Sequence, residues 1–254
     1  MQTEFTELTD SQWEVIEKIL DDHRKREHSL RVMMDAILWI TRTGSQWRNM
    51  ESKYPPWQSV YYYFRKWKAK GILGEILAYL VENERERQGR NREASAAAVD
   101  SQSIKKSSFV SLETGIDGGK KINGRKRHLL VDTLGLPLAI HVSAADIADG
   151  EGGFDLLWQT EQRSSRMQLI RGDQAYAKIF AQAAAYYGWR VETVQRPESE
   201  QGFVPQKGRW QVERSFGWLN FFRRLSKDYE KTIPSSITFI QLAFITIILA
   251  RMAN

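Results

Sequence analysis

The period of the apolar residues changes once along this chain, near residue 90, and a sequence that changes period must be built in two different ways. Before that point apolar residues recur three and four apart, as helices require. From Ala96 onward they come in short runs bounded by Gly, Pro and polar residues, as strands do. Between the two lie residues 84–92, nine positions without an apolar side chain, which read as an interdomain segment. The expected organisation is a helical domain over 1–85, a linker over 86–95 and an α/β domain over 96–254.

In the helical part, Thr9 and Gln12 have capping-box spacing ahead of Trp13, Ile16, Ile19 and Leu20. A second helix fits 30–42, with Val32, Met33, Ala36, Ile37 and Ile40 on one face and Gly44 as its stop. The turn Tyr54-Pro55-Pro56-Trp57 breaks the helical run, Ser59 can cap a third helix over 60–70, and a fourth fits 72–86. Helix, turn and basic aromatic helix is the pattern of a helix-turn-helix DNA reader. A plain helical bundle with Tyr61, Phe64 and Trp67 in its core explains the same pattern, and both readings hold if Arg65, Lys66 and Lys68 stay outside.

In the second part the periodicity predicts a strand over 96–104, a hairpin of strands 128–133 and 138–144, and a helix over 149–159. A strand over 167–171, a helix over 178–187, a strand over 190–194 and helices over 208–225 and 237–252 follow. That succession predicts an α/β layout, a mixed sheet covered by helices. The segment 237–252 is the most apolar run, but it is about four residues short of a comfortable membrane span and contains Gln241 and Thr246, so a packing helix and no membrane role are expected.

Charge narrows the partner class. Lys and Arg number 37 against 31 Asp and Glu, and the excess is concentrated in three zones. Residues 42–70 carry seven basic residues and one acid, 105–127 seven and two, and 207–231 seven and three. Clustered cations on an otherwise acidic chain suit a polyanion such as DNA, whereas each run alone is also explained as a solvated loop. The absence of cysteine excludes disulfide scaffolds, thiol catalysis and Cys-based zinc sites. The first 30 residues have no apolar run after a basic start, so a cytoplasmic protein is expected.

Three acids stand where chemistry could occur. Asp100 lies near the end of the first strand of the α/β part, Asp173 just after a later strand, and Glu213 inside a helix. Open α/β sheets bind ligands at strand ends, so the first two are placed to meet. Carboxylates brought together repel unless a cation lies between them, and oxygen donors suit Mg2+ or Mn2+. Two such ions roughly 3.5–4 Å apart can serve the attacking and leaving oxygens of a phosphodiester. Taken singly, each acid is equally explained as a turn, cap or solvent-facing residue. His128 and His141 fit sheet positions better than metal ligation, and Asp132 and Asp146 fit turn and cap roles.

The wording of the motifs is more specific. Leu8-Thr9-Asp10-Ser11-Gln12-Trp13, Asp35-Ala36-Ile37-Leu38-Trp39-Ile40, Arg42-Thr43-Gly44-Ser45-Gln46-Trp47-Arg48 and Pro55-Pro56-Trp57-Gln58-Ser59-Val60-Tyr61 resemble the amino-terminal domain of bacterial insertion-sequence transposases of group five. Val99-Asp100-Ser101-Gln102-Ser103, Gly124-Arg125-Lys126-Arg127-His128, Val131-Asp132-Thr133-Leu134-Gly135-Leu136-Pro137, Gly172-Asp173-Gln174-Ala175-Tyr176 and Trp210-Gln211-Val212-Glu213-Arg214-Ser215-Phe216-Gly217-Trp218-Leu219 are similar to that family's catalytic domain, in the same order.

The resemblance implies a DDE transposase with a ribonuclease H-like domain in which Asp100, Asp173 and Glu213 hold two divalent ions, Mg2+ or Mn2+. It also implies double-stranded DNA as partner, both the element's terminal inverted repeats and the target, and a homodimer in the synaptic complex, working at the bacterial nucleoid. Related transposases carry a Tyr, Arg, Glu, Lys signature around the last acid. Arg209 matches the Arg, while Gln206 and Asn220 stand at the Tyr and Lys positions, so hairpin formation at the cut ends, which leans on those two, is not implied. Candidate DNA contacts are Arg48, Arg65, Lys66 and Lys68 in the helical part, and Lys120, Lys121, Arg125, Lys126, Arg127, Arg209 and Arg214 in the catalytic part. For Arg214 an ion pair with Glu213 competes with that role. The alternatives from other classes are a non-catalytic DNA-binding repressor and a nuclease that cuts without joining.

Overall fold

Helix starts and stops in the amino-terminal part follow from local chemistry. In the computed structural model, which describes residues 5–20, 24–193 and 209–252, helix α1 (Asp10–Leu20) opens on a reciprocal capping box. The Thr9 amide donates to Gln12 Oε1 at 2.9 Å, and the Gln12 amide to Thr9 Oγ1 at 3.3 Å. Helix α2 (Leu30–Thr43) is capped by Ser29, whose hydroxyl accepts from the Val32 amide, and stops at Gly44 in the left-handed region at φ 71°. A side chain at Gly44 would also meet the Arg223 backbone at 3.0 Å, so the position demands glycine twice over. Helix α2 is buried nearly all round, Met34, Leu38 and Trp39 included, which makes it a core helix rather than an amphipathic one.

Helix α3 (Trp57–Ala69) begins three residues earlier than its sequence suggests. The fixed φ of Pro55 and Pro56 starts the turn, and the Pro56 carbonyl accepts from Ser59 at 2.9 Å, so Ser59 sits within the first turn rather than at the cap. Val60, Phe64 and Trp67 are buried, Arg65 is exposed, and Lys66 and Lys68 lie over the rings of Tyr63 and Phe64. Helix α4 (Ile72–Arg87) then runs into the stretch expected to be a linker. That stretch is tied down: Arg85 is buried, pairs with Asp132 and donates to the carbonyls of Asn91 and Arg92.

Contacts divide the chain into two units. One takes Met1–Leu80, Leu219–Ser226 and Thr238–Asn254; the other takes Val81–Trp218 and Lys227–Ile237. The last helix, assigned from sequence to the second domain, therefore belongs for most of its length to the first unit. There Phe239 stacks on Phe64 at 5.0 Å and the Gln12 side chain donates to Leu249 O. Its twenty residues are apolar enough to cross a membrane, yet two-thirds of the apolar window is buried in protein, so its all-round hydrophobicity fills a helical core.

Asp35 is the charged group within that core. Its carboxylate accepts from the Leu8 amide at 2.9 Å, and burial pushes its pKa up to about 6 against the pull of that hydrogen bond. The folded protein thus binds a proton that the unfolded chain, titrating near 3.8, does not, so this residue's contribution to stability falls as pH rises from about 4 to 6. Asp35→Asn keeps an acceptor for Leu8 and removes the buried charge. It should raise the unfolding free energy at pH 7.5 by about 1–3 kcal/mol and leave it unchanged at pH 4; urea titrations showing equal gains at both pH values would contradict this.

The second unit is built on a six-stranded sheet among the described residues. Strand β1 (Ala96–Lys105) is central, flanked by antiparallel β3 (Ile122–Asp132) and parallel β5 (Leu169–Gly172). Beyond β5 lies parallel β6 (Arg190–Thr193), and β4 (Pro137–Ala144) and short β2 (Gly115–Asp117) pair with successive parts of β3. The mixed sheet is as expected, but β3 starts six residues before the expected hairpin strand, and β2 is an addition. The single helix expected over 149–159 is two, α5 (Asp149–Gly152) and α6 (Phe154–Glu161). At the break, a Cβ on Gly152 would stand 2.4 Å from the His128 ring, so glycine lets the chain pass against the sheet. With α7 (Ile179–Tyr186), these helices cover one face over Val99, Leu130, Leu156, Ile170, Tyr176 and Phe180. Helix α8 (Trp210–Leu219) is tied to the β3–β4 turn by Ser215 Oγ, which donates to Gly135 O at 2.8 Å.

Candidate active site

Strand register carries the site. β1 and β5 run parallel with Ala98 opposite Arg171, so Asp100 and Asp173, each two residues further on, reach the same level on neighbouring strands. Asp173 follows the last residue of β5 and caps the next 3-10 turn, its Oδ1 accepting from the Ala175 amide at 2.9 Å. Glu213 comes from α8, one turn after Arg209. The Arg209 Nη2 lies 3.6 Å from Asp100 Oδ2 and 3.9 Å from Glu213 Oε1, so a single cation stands between two of the three acids.

The electrostatics agree with convergence. Burial pushes the Asp100 carboxyl up to about 6; the Ser101 amide, donating at 2.7 Å, and Arg209 pull it back, and the charges of Asp173 and Glu213 push it further. Glu213 Oε2 is buried without a hydrogen-bond partner among the described residues. A buried carboxylate oxygen without a donor suits a cation, and with Asp100 it offers the all-oxygen donors that a hard divalent ion takes. The donor chemistry therefore fits Mg2+ or Mn2+. Among the described residues, no group of three acids or histidines is drawn close enough to ligate one ion, and the guanidinium of Arg209 stands where Asp100 and Glu213 would share one.

Asp149 and Tyr176, given no role in the sequence, back Asp100 together with Lys126. Lys126 Nζ lies 2.7 Å from Asp149 Oδ1, and although burial raises the Asp149 carboxyl, Lys126, the Ser101 hydroxyl and His128 together hold it below the usual range. Tyr176 is fully buried; desolvation, and then the charges of Asp100, Asp149 and Asp173, lift its hydroxyl far above the ordinary value. Its place in Asp173-Gln174-Ala175-Tyr176, one 3-10 turn after an acid, was the available signal. His128 and His141 occupy paired sheet positions: His128 Nε2 is 2.9 Å from Ser143 Oγ, and burial lowers its pKa to about 3.

The basic candidates divide into two groups. Arg48, Arg65, Lys120 and Lys121 are exposed, and Lys66 and Lys68 half-buried. Arg125, Lys126 and Arg127 are not surface residues. They lie in β3 and are buried, Arg125 paired with Asp228 and Lys126 with Asp149, while desolvation lowers Arg127 to about 10 against the attraction of Asp228. A basic run reads as a solvated loop only when the acids that neutralise it are near in sequence; here they lie over a hundred residues and twenty-three residues away. Arg214 likewise lies between the rings of Trp210 and Trp218, at 4.3 and 4.8 Å, and donates to Leu134 O, so it braces α8 rather than reaching for DNA. Gln206 lies outside the described residues, and Asn220 is exposed just past α8.

Comparison with known proteins gives the same placement. Residues 91–248 match the family model described as "Transposase DDE domain", and residues 8–77 that described as "Putative transposase of IS4/5 family (DUF4096)". The uncharacterized protein y4sN of Sinorhizobium fredii (strain NBRC 101917 / NGR234) is 31% identical over 77 residues, 29% of this chain. The match spans 62% of that relative's length. The mixed sheet and its flanking helices are the ribonuclease H-like fold that a DDE domain implies. With the family model covering more than half of its length, the chain belongs to the DDE transposases of the IS4/IS5 group.

Proposed function

We propose that this protein binds the terminal inverted repeats of an insertion sequence, cuts the element ends and joins them to target DNA, with Asp100, Asp173 and Glu213 as the catalytic acids. The observation that carries the reading is the placement of Asp100 and Asp173 at one level of adjacent parallel strands, with Glu213 sharing a cation with Asp100. In the cut, a water oxygen bonds to the scissile phosphorus while the bond from phosphorus to the 3′ oxygen breaks. The water gives its proton to solvent, and the leaving oxygen takes one up. In the join, that 3′-hydroxyl bonds to a target phosphorus, loses its proton and displaces a target 3′ oxygen. Bound Mg2+ or Mn2+ would supply charge for the attacking and leaving oxygens. The protein's share is to present three carboxylates on rigid elements, the middle of β1, the end of β5 and helix α8, and to keep Asp100 in a half-buried setting where charge is weakly screened. A homodimer, each protomer holding one end, fits the need to join two ends together, in the cytoplasm at the nucleoid.

Binding itself falls to the exposed Arg48 and Arg65 and half-buried Lys66 and Lys68 in one unit, and to the exposed Lys120 and Lys121 in the other. Each phosphate contact releases counterions, so each of Arg65→Ala, Lys68→Ala and Lys120→Ala should reduce the slope of log binding constant against log salt by about 0.9. Unchanged slopes in fluorescence anisotropy would remove those residues from the interface. The test of the whole reading is incubation with labelled duplex carrying candidate ends and Mg2+ or Mn2+, with cut and joined products on one gel. Binding without cutting would support a repressor, and cutting without joining a nuclease.

A further inference from the structure

Asp100 and Glu213 already share a cation, and it is a side chain of the same protein. Arg209 Nη2 stands 3.6 and 3.9 Å from their oxygens, both longer than a charge-assisted hydrogen bond, so the pairing is Coulombic contact rather than a fixed bidentate clamp. A guanidinium and a divalent ion cannot occupy that gap together, since both would be drawn to the same two carboxylates and would repel each other at close range. The Arg209 side chain is mostly buried, so water does little to screen that conflict.

We propose that Arg209 is an internal counterion that must leave Asp100 and Glu213 before an ion loads, and that a DNA phosphate draws it off, coupling metal loading to DNA binding through this side chain. The inference rests on the reading of Asp100 and Glu213 as metal ligands. A guanidinium suits the exchange, because its planar fork matches phosphate and carboxylate alike and keeps its charge throughout. The protein without DNA keeps its acids neutralised and its metal site closed. When DNA takes the guanidinium, the two acids regain their full charge and the ion enters. By linkage, DNA must tighten metal binding by the same factor that metal tightens DNA binding.

The test is a Mn2+ titration followed by electron paramagnetic resonance of the free ion, with and without a duplex carrying candidate ends. The Asp100→Asn/Glu213→Gln variant with the same duplex gives the background of ions held by DNA. The wild-type protein should bind Mn2+ roughly tenfold more tightly with duplex than without, within the usual range of coupling. Arg209→Met should bind Mn2+ roughly tenfold more tightly without DNA and gain nothing from the duplex, whereas Arg209→Lys, which keeps the charge, should stay weak. Circular dichroism melts establish that the variants fold, and the wild-type comparison needs no variant. Mn2+ bound above background with equal affinity with and without duplex, or Arg209→Met binding no more tightly than wild type, would overturn the proposal and leave the metal site standing. Absence of any Mn2+ binding above background would overturn the metal site itself.

Discussion

Asp100→Asn should lower cleavage at an element end on the order of 10^3-fold while leaving the affinity for the same duplex within about twofold. Burial is the largest cause of the rise of this carboxyl to about 6, and Asp173 and Glu213 add to it against the pull of the Ser101 amide and Arg209, so the protein holds at Asp100 a charge that costs free energy. A fold tolerates such repulsion where something must be bound between the acids. Asparagine keeps the size and an acceptor for the Ser101 amide, so β1 should survive. The thermal midpoint of the variant should therefore not fall, and loss of cleavage can be read as loss of chemistry. Glu213→Gln should behave alike. Full cleavage in either variant, measured at saturating DNA, would exclude the carboxylate triad.

What could be read from the sequence and what could not differ in a physical way. The capping box of Thr9 and Gln12 and the stop at Gly44 are local matters of hydrogen bonding and dihedral angle, and the residues that decide them lie within a few positions, whereas Asp100, expected near a strand end, lies at the middle of β1, because pairing with β3 carries that strand on to Lys105. The meeting of Asp100 and Asp173 follows from one parallel pairing, which the alternation of strands and helices already suggests. Periodicity failed where charge was neutralised at long range. Arg125, Lys126 and Arg127 read as DNA contacts, with a solvated loop as the competing account, yet residues 122–127 extend β3, where Asp149 and Asp228 supply the counter-charges inside the fold. The same blindness hid the closing role of Arg209, since a separation of four residues shows that it can meet Glu213 but not that it also meets Asp100. For 237–252, composition gave a helix and nothing about which unit it fills, because a helix apolar all round carries no directional signal.

Arg125→Met should destabilise the protein by about 3–5 kcal/mol without altering the salt dependence of DNA binding, the opposite of what its place in a basic run suggests. Arg125 is fully buried. Its Nη1 pairs with Asp228 Oδ2 at 3.2 Å and donates to Glu230 O at 2.9 Å, while Nη2 donates to Leu112 O at 2.8 Å. Asp228 in turn accepts from Ser236 Oγ at 2.8 Å and from the Glu230 amide at 2.9 Å, and its own backbone bonds to Lys105 and Ser107. One guanidinium thus pins two loops to the start of β3, and methionine would leave the buried Asp228 charge without its cation and the carbonyls of Leu112, Glu113, Glu230 and Lys231 without their donor. Against a total stability of about 5–15 kcal/mol, such a loss would lower the melting temperature by roughly 10 °C. The double variant Arg125→Met/Asp228→Leu removes the stranded charge as well and should recover part of the loss, because the penalty of breaking a buried pair lies mostly in the partner left behind. Well below the melting point, the slope of DNA affinity against salt should match wild type, whereas Lys120→Ala shifts it. If Arg125→Met melts like wild type and loses about one unit of slope, the arginine faces DNA and the buried pair is not what holds those loops.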